Sequence, residues 1–477
     1  MKKQALNPFL PNYEYIPDAE PYVFGDRVYI YGSHDRFGGD AFCMNDYVCW
    51  SAPVTDLADW RYEGVIYRKT QDPRCQPDSC MYAPDVTQGP DGRYYLYYTL
   101  DFEGTMAVAV ADTPVGPYEF YGRVKEPGGH IVGDRDEDVY QYDPGIFVDE
   151  DGRVFLYVGF AAFGALRKKL LGRRKWQMEG CYCMELEQDM LTVKSAPVLV
   201  LPWRENSAGT GFEDHAFFEA SSIRKIGDVY YLAYSSQQLH ELCYATSRYP
   251  DRDFTYRGVL VSNAEAGLHG WTSEKSANYF NNNHGGMVCV EGQWYIFYHR
   301  HTNYCSYSRQ CCAEKLTLNP NGSFSQAELT SCGLNDGDLE GCGTYPASIA
   351  CWMYAEGGAI NNRFLKEQRS AHPAVTQQAS DDSVVQTQYI TNLRSGSTVV
   401  YKYFDLSATT AITLRVRGSA GSIKVTDGNK VLAEVSFAEA SQWQDCTAAL
   451  TACKPHSAIF LCVDTAGAVD LQSFTLN

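Results

Sequence analysis

The sequence predicts an all-β protein, a five-bladed β-propeller followed by a C-terminal β-sandwich. Three observations predict it: 14% aromatic residues with 35 tyrosines, a turn-and-strand unit that recurs five times, and a change of texture near residue 376. Aromatic and β-branched side chains suit pleated, half-buried surfaces. With 477 residues, the chain also exceeds the about 250–300 residues at which a single core stops growing, so more than one domain is expected.

The repeating unit is a Gly or Asp turn followed by an aromatic-rich strand. It occupies Gly25–Tyr31, Gly92–Tyr98, Gly152–Tyr157, Gly227–Tyr234 and Gly292–Tyr298, and the five glycines lie 67, 60, 75 and 65 residues apart. A turn and strand returning at this interval, with almost no amphipathic helix between, is how a propeller reads from sequence. The units stop near residue 320, so residues 1–320 form the expected propeller. Residues 321–375, rich in glycine from Gly333 to Gly358, read as a connection packed between domains. From 376 to 477 short alternating strands appear, such as Ser397–Phe404 and Ala411–Arg417, with a turn at Asp427-Gly428-Asn429. That is a β-sandwich pattern. Trp443 and Tyr389 are its candidate binding platforms, with a core role the favoured reading of each.

Composition narrows the partners. The net charge is −18, from 40 basic and 58 acidic residues, and the basic runs are no longer than Lys168-Lys169 and Arg173-Arg174-Lys175. Nucleic-acid binding, which needs a positive footprint, is excluded. No stretch approaches about 18 apolar residues, so no membrane-spanning helix is expected. The N-terminal residues do not read as an export signal, which places the protein in the cytoplasm. The 17 cysteines should then be mostly free thiols in a reducing compartment. Cys181, Cys183, Cys311 and Cys312 have the wrong spacing for a zinc knuckle.

Seven to nine residues before each turn glycine stand Asp18, Asp85, Asp143, Glu219 and His284. Innermost propeller strands line the central channel, so equivalent positions converge on one axis. Any one acid read alone is better taken as a hairpin cap; five in register are not. Clustered carboxylates raise one another's pKa, so one can stay protonated while another stays ionised, as glycoside hydrolysis requires. The same cluster could hold a cation, and His284 among oxygens and waters suits a hard ion.

These residues carry a resemblance. Asn7-Pro8-Phe9-Leu10 leading to Asp18, Tyr82-Ala83-Pro84-Asp85-Val86, Tyr142-Asp143-Pro144-Gly145, Phe218-Glu219-Ala220 with Lys225, and His284-Gly285-Gly286 with Trp294-Tyr295 resemble the family 43 glycoside hydrolases, in order, over roughly residues 7–320. The resemblance implies a five-bladed propeller and hydrolysis with inversion. It implies Asp18 as general base, Asp143 as the residue that tunes and orients the acid, Glu219 as general acid, and His284 as a residue that helps hold calcium on the axis. Arg309 resembles an arginine at the sugar subsite, binding hydroxyls or pairing with a catalytic acid, with a solvent salt bridge as the alternative. Asp85 reads as a sugar-hydroxyl contact or as a residue behind the first shell of contacts. Two departures stand out: Glu219-Ala220-Ser221 replaces Glu-Gly-Pro, and Asp18 is followed by Ala19-Glu20-Pro21. Glu20 is thereby a rival base, expected to point away from the channel. The C-terminal region resembles a family 6-type carbohydrate-binding module.

The function expected is an exo-acting glycosidase acting on small oligosaccharides, α-L-arabinofuranosidase first and β-D-xylosidase as the alternative. A different class, a calcium-dependent sugar-binding propeller without catalysis, is the competitor. Three acids suited to proton transfer favour the enzyme.

Overall fold

The computed structural model describes residues 3–359, 371–378, 387–451 and 453–477. The first part of the chain folds into five antiparallel sheets in sequence order. The first holds β1 (Glu20–Phe24), β2 (Arg27–Tyr31), β3 (Tyr47–Pro53) and β4 (Arg61–Tyr67). The second holds β5 (Asp85–Gln88), β6 (Tyr94–Tyr98), β7 (Ala107–Ala111) and β8 (Glu119–Arg123). The third holds β9 (Gly145–Val148), β10 (Val154–Val158), β11 (Gly180–Leu186) and β12 (Val198–Pro202), with helix α1 (Gly164–Leu171) set between β10 and β11. The fourth holds β13 (Phe217–Ile226), β14 (Val229–Ser236), β15 (Leu242–Ser247) and β16 (Thr255–Val261), and the fifth β17 (Met287–Val290), β18 (Gln293–His301) and β19 (Arg309–Leu316). Each sheet is open, and its strands pair in chain order.

The five repeated turns are the hairpins into β2, β6, β10, β14 and β18. Their glycines all adopt positive φ, from 57° to 87°, which explains why glycine recurs there. The strands that follow are buried on both faces, as in Val28, Tyr29, Ile30 and Tyr31, because every sheet packs between two others. One cluster joins Tyr29 and Tyr47 of the first sheet to Val86 and Leu96 of the second. Others join the second to the third through Val108 and Leu156, the third to the fourth through Tyr157 and Leu232, and the fourth to the fifth through Tyr244 and Ile296. The last brings the fifth back to the first through Phe297 and Ile30. Asn7 locks that final junction: its side chain donates to the Ala313 carbonyl (3.1 Å) and accepts from the Ala313 N–H (3.1 Å). The first strands approach one another at the centre, β1 by β17 and β5 and β13 by β9.

Two six-stranded sheets follow. Their inner faces meet over Ile412, Leu414, Val416, Ile423, Ile459, Leu461 and Phe474. The strands expected at 397–404 and 411–417 form as Thr398–Asp405 and Ala411–Gly418, and the turn at Gly428 joins Gly421–Asp427 to Lys430–Phe437. The reading of residues 321–375 as a connection needs correction. Leu339–Glu340 and Trp352–Tyr354 pair with Thr398–Asp405, and Gly343–Pro346 pairs with Val469–Leu476, so this segment supplies strands to both sheets. It does pack both ways, since Trp352 shares a cluster with Tyr244 and Val400. Part of the segment lies outside the described residues. Trp443 and Tyr389 are not core residues: both are half-buried, packed edge to face at 5.7 Å beneath the Arg417 guanidinium. All 17 cysteines are free.

Candidate active site

Where the first strands converge, a cavity of about 310 Å³ opens, with Asp18, Asp143, Glu219, His284 and Arg309 in its wall. That is room for roughly one sugar ring with neighbouring atoms. Asp18, Asp143 and His284 sit just ahead of β1, β9 and β17, while Glu219 lies within β13 at an irregularity in its pairing with β14. Backbone strain marks these positions. Asp18 has φ 58°, Asp143 has φ 46°, and Ala220, beside Glu219, has φ 68°. Non-glycine residues in the left-handed region persist only where surroundings hold them. Here the Ala220 N–H donates to Asp143 Oδ2 at 3.1 Å, so the Ala-for-Gly departure keeps the glycine-like turn.

The two principal acids occupy opposite surroundings. Asp18 accepts from Ser33 Oγ and from Arg309 Nη1 at 2.9 Å. Burial by itself raises this carboxyl, but the Arg309 guanidinium brings it well below the usual carboxylate range. Arg309 is itself fixed by Asp35, which takes its Nε at 2.8 Å and Nη2 at 3.0 Å. Of the readings of Arg309, pairing with an acid is the one observed; at 2% exposure it is no solvent salt bridge. Glu219 shares its cavity with the rings of Phe218, Phe160 and Tyr142, whose centroids lie 5.5 Å apart for Phe160–Phe218 and 4.7 Å for Tyr142–Phe160. Burial, and then the Asp143 carboxylate, push Glu219 well above the ordinary value. In one cavity, the surroundings thus favour the ionised form of Asp18 and the protonated form of Glu219; burial raises Asp143 as well, with His284 opposing that rise.

His284 joins this cavity to a layer beneath it. Its Nδ1 lies 3.4 Å from Asp143 Oδ2 and its Nε2 3.8 Å from Glu20 Oε1. Burial lowers its pKa, but Asp143, Asp18 and Glu20 outweigh that and raise it to about 9. Glu20 does not point away: it is fully buried and turned toward His284. It is absent from the cavity wall; its Oε2 takes Ser222 Oγ (2.9 Å) and Arg224 Nη2 (3.0 Å). Gly286 leaves room for this carboxylate, because a Cβ there would lie 2.2 Å from Glu20 Oε2 and push it aside. Asp85 is also deeper than expected. Its oxygens accept from Tyr22 Oη, the Val86 N–H and the Ile146 N–H, each at 2.7 Å, so it ties sheets together and does not line the cavity. Burial and Glu20 raise it to about 7.

Sequence reasoning missed Asp35, Arg224, the aromatic wall and His240, whose half-buried ring lines the cavity with its pKa lowered to about 4 by desolvation. Asp35 follows β2 closely, at the end that meets the cavity; no pattern in the chain pairs it with Arg309. For a cation, the described residues offer two clusters of three, His215–Glu241–Cys243 and Glu265–His269–Glu328, neither of which includes a residue of the cavity wall. At His284 the donors are fewer. His284 Nε2 and Glu20 Oε1 are both buried without a hydrogen-bond partner and face one another. Glu20 Oε1 could serve a hard ion together with water, whereas His284, whose pKa is raised, could offer Nε2 only once the ion displaces its proton.

Comparison with known proteins shows what the chain is similar to. The chain is 46% identical to a xylosidase/arabinosidase of Thermoclostridium stercorarium over 491 aligned residues, covering 100% of this chain and 99% of the relative. It is 29% identical to a xylosidase/arabinosidase of Bacteroides ovatus, over 60% of this chain and 86% of that one. A family 43 β-xylosidase/α-arabinofuranosidase from a compost metagenome, solved with xylotriose in a calcium-free form, superposes with TM-score 0.54 at 28% identity, covering 68% of this chain and 98% of its own. An arabinoxylan arabinofuranohydrolase of Bacillus subtilis, solved with cellotetraose, shares the fold over 99% of this chain and 97% of its own, with TM-score 0.52 at 18% identity. No helix among the described residues is long and apolar enough to cross a membrane. Residues 5–324 match the model of the glycosyl hydrolases of family 43, and the chain belongs to that family.

Proposed function

We propose that the protein is an exo-acting, inverting glycosidase that releases terminal pentoses from short oligosaccharides, an α-L-arabinofuranosidase with β-D-xylosidase as the alternative. The opposite polarisation of Asp18 and Glu219 carries this reading. Single displacement needs a carboxylate to activate water and a carboxylic acid to protonate the leaving oxygen. Asp18, held ionised by Arg309, is the base. Glu219, held protonated by burial and Asp143, is the acid. Asp143 tunes Glu219 by its charge and orients its loop through the Ala220 N–H. The five sheets packed in a cycle support a five-bladed propeller.

Calcium fits beside His284 with Glu20 as its partner ligand, where it would bias nearby carboxylates toward ionisation and favour the native state. The C-terminal sandwich is proposed as a family 6-type module that buttresses the catalytic domain. The cytoplasm is proposed as the location, with imported oligosaccharides as substrates. Nitrophenol release from pentofuranosyl and pentopyranosyl conjugates, with NMR detection of the anomer first formed, tests the function. A retained anomeric configuration would remove the single-displacement mechanism, and inactivity on both conjugates would remove the glycosidase.

A further inference from the structure

Helix α1 stands at the mouth of the cavity, where Phe163, just ahead of it, and Leu166 line the wall. Phe163 is 55% exposed and Leu166 37%. Large apolar side chains left open beside a site mark a surface that a ligand covers. Phe163 packs on Phe218, with ring centroids 5.7 Å apart, and Phe218 immediately precedes Glu219. On the reading that Glu219 is the acid, it stands beside the leaving oxygen, so this apolar strip faces the leaving group and not the sugar held by Asp18.

The second observation is charge. In a chain of net charge −18, six of the 40 basic residues lie between Arg167 and Lys175, with no acid among them. Two are engaged. Arg167 donates to the Met178 carbonyl and pairs with Glu179, and Arg174 lies over Trp176. Lys169 and Arg173 are exposed. Lys169 follows Leu166 by three residues, and helical side chains lean toward the N-terminus, so it reaches along the face that Leu166 presents to the cavity. Arg173 Nη1 donates at 3.4 Å to the carbonyl of Phe102, itself a cavity residue. Glu103 and Asp134 on the neighbouring loops are paired with Arg74 and Arg123 and do not neutralise these cations.

We propose that Phe163, Leu166, Lys169 and Arg173 form a leaving-group subsite selective for an anionic sugar, a uronic acid in the first place. The ring would lay its C–H face on Phe163 and present its carboxylate to the two cations. This rests on the proposed glycosidase activity. The test compares kcat/KM for oligosaccharides with the same released pentose and linkage, whose leaving sugar is neutral, a uronate or a sugar phosphate. At low salt the uronate is preferred about two- to thirtyfold, the range two exposed ion pairs give, and the preference shrinks toward one at high salt. The double variant Lys169→Ala/Arg173→Ala brings the ratio to about one, and Phe163→Ala raises KM for all three. A preference for the phosphate over the uronate keeps the anionic subsite and changes its natural occupant. Native enzyme that cleaves the neutral substrate as fast as either anion overturns the proposal while leaving the glycosidase standing. Failure to cleave any of these or a nitrophenyl pentoside removes the glycosidase and this subsite with it.

Discussion

The two walls of the cavity make a controlled comparison. Asp18 and Glu219 are both buried carboxyls in the same space, yet one faces Arg309 and Ser33 and the other faces phenyl rings and a second carboxylate. Burial pushes both pKa values up. What separates them is the sign of the nearest charge, positive at Asp18 and negative at Glu219. Role follows from surroundings and not from residue type, which is why Asp85 and Glu20, carboxyls as deeply buried, stay out of the cavity wall.

Several substitutions would break or sharpen this contrast. The largest effect is expected from Asp18→Asn, which should lower kcat by about 10⁴-fold on every leaving group, since water activation fails whatever departs. Recovery on dinitrophenyl glycosides would move the base elsewhere. Glu219→Gln should cost about 10²–10⁴-fold on natural glycosides but far less on dinitrophenyl glycosides, whose leaving group needs little protonation. Equal losses on both would show that Glu219 is not the acid.

Asp143→Asn tests the source of the high Glu219 pKa. Glu219 must be protonated to act, so rate falls as pH rises through its pKa; removing the negative neighbour lowers that pKa and moves the basic limb of the kcat profile downward. The acidic limb should stay put, because Asp18 owes its low value to Arg309. A basic limb that does not move would assign the shift to burial alone. Exhaustive chelation should lower the melting temperature, as a cation saturating the native state at 100 times its Kd contributes about 2.7 kcal/mol; an unchanged transition would leave His284 to its pairing with Asp143. The smallest effect belongs to Ala220→Gly. Relief of the left-handed strain, about 1–2 kcal/mol, is partly offset by the greater freedom of glycine in the unfolded chain, so stability in urea should rise by less than about 1 kcal/mol. A loss instead would mean that the Ala220 methyl group packs usefully.

What the chain itself determined is local and periodic. Five turn glycines, each at positive φ, and the strands after them were legible because backbone sterics act within a few residues. The ring then carries one ionisable group from each first strand inward, so Asp18, Asp143, Glu219 and His284 could be named from spacing alone. Depth could not. Asp85 matches the others in register, but the Ile146 N–H and Tyr22 hydroxyl that claim it come from neighbouring sheets. Glu20 turns inward where the linear reading turned it out. The Arg309–Asp35 pair joins residues 274 positions apart, and strands within 321–375 belong to sheets completed by residues beyond 397. Pairing, depth and the sign of the nearest charge are set by segments distant in sequence, and Coulomb and desolvation energies depend on separations in space. Only the tertiary structure could decide which acid is ionised.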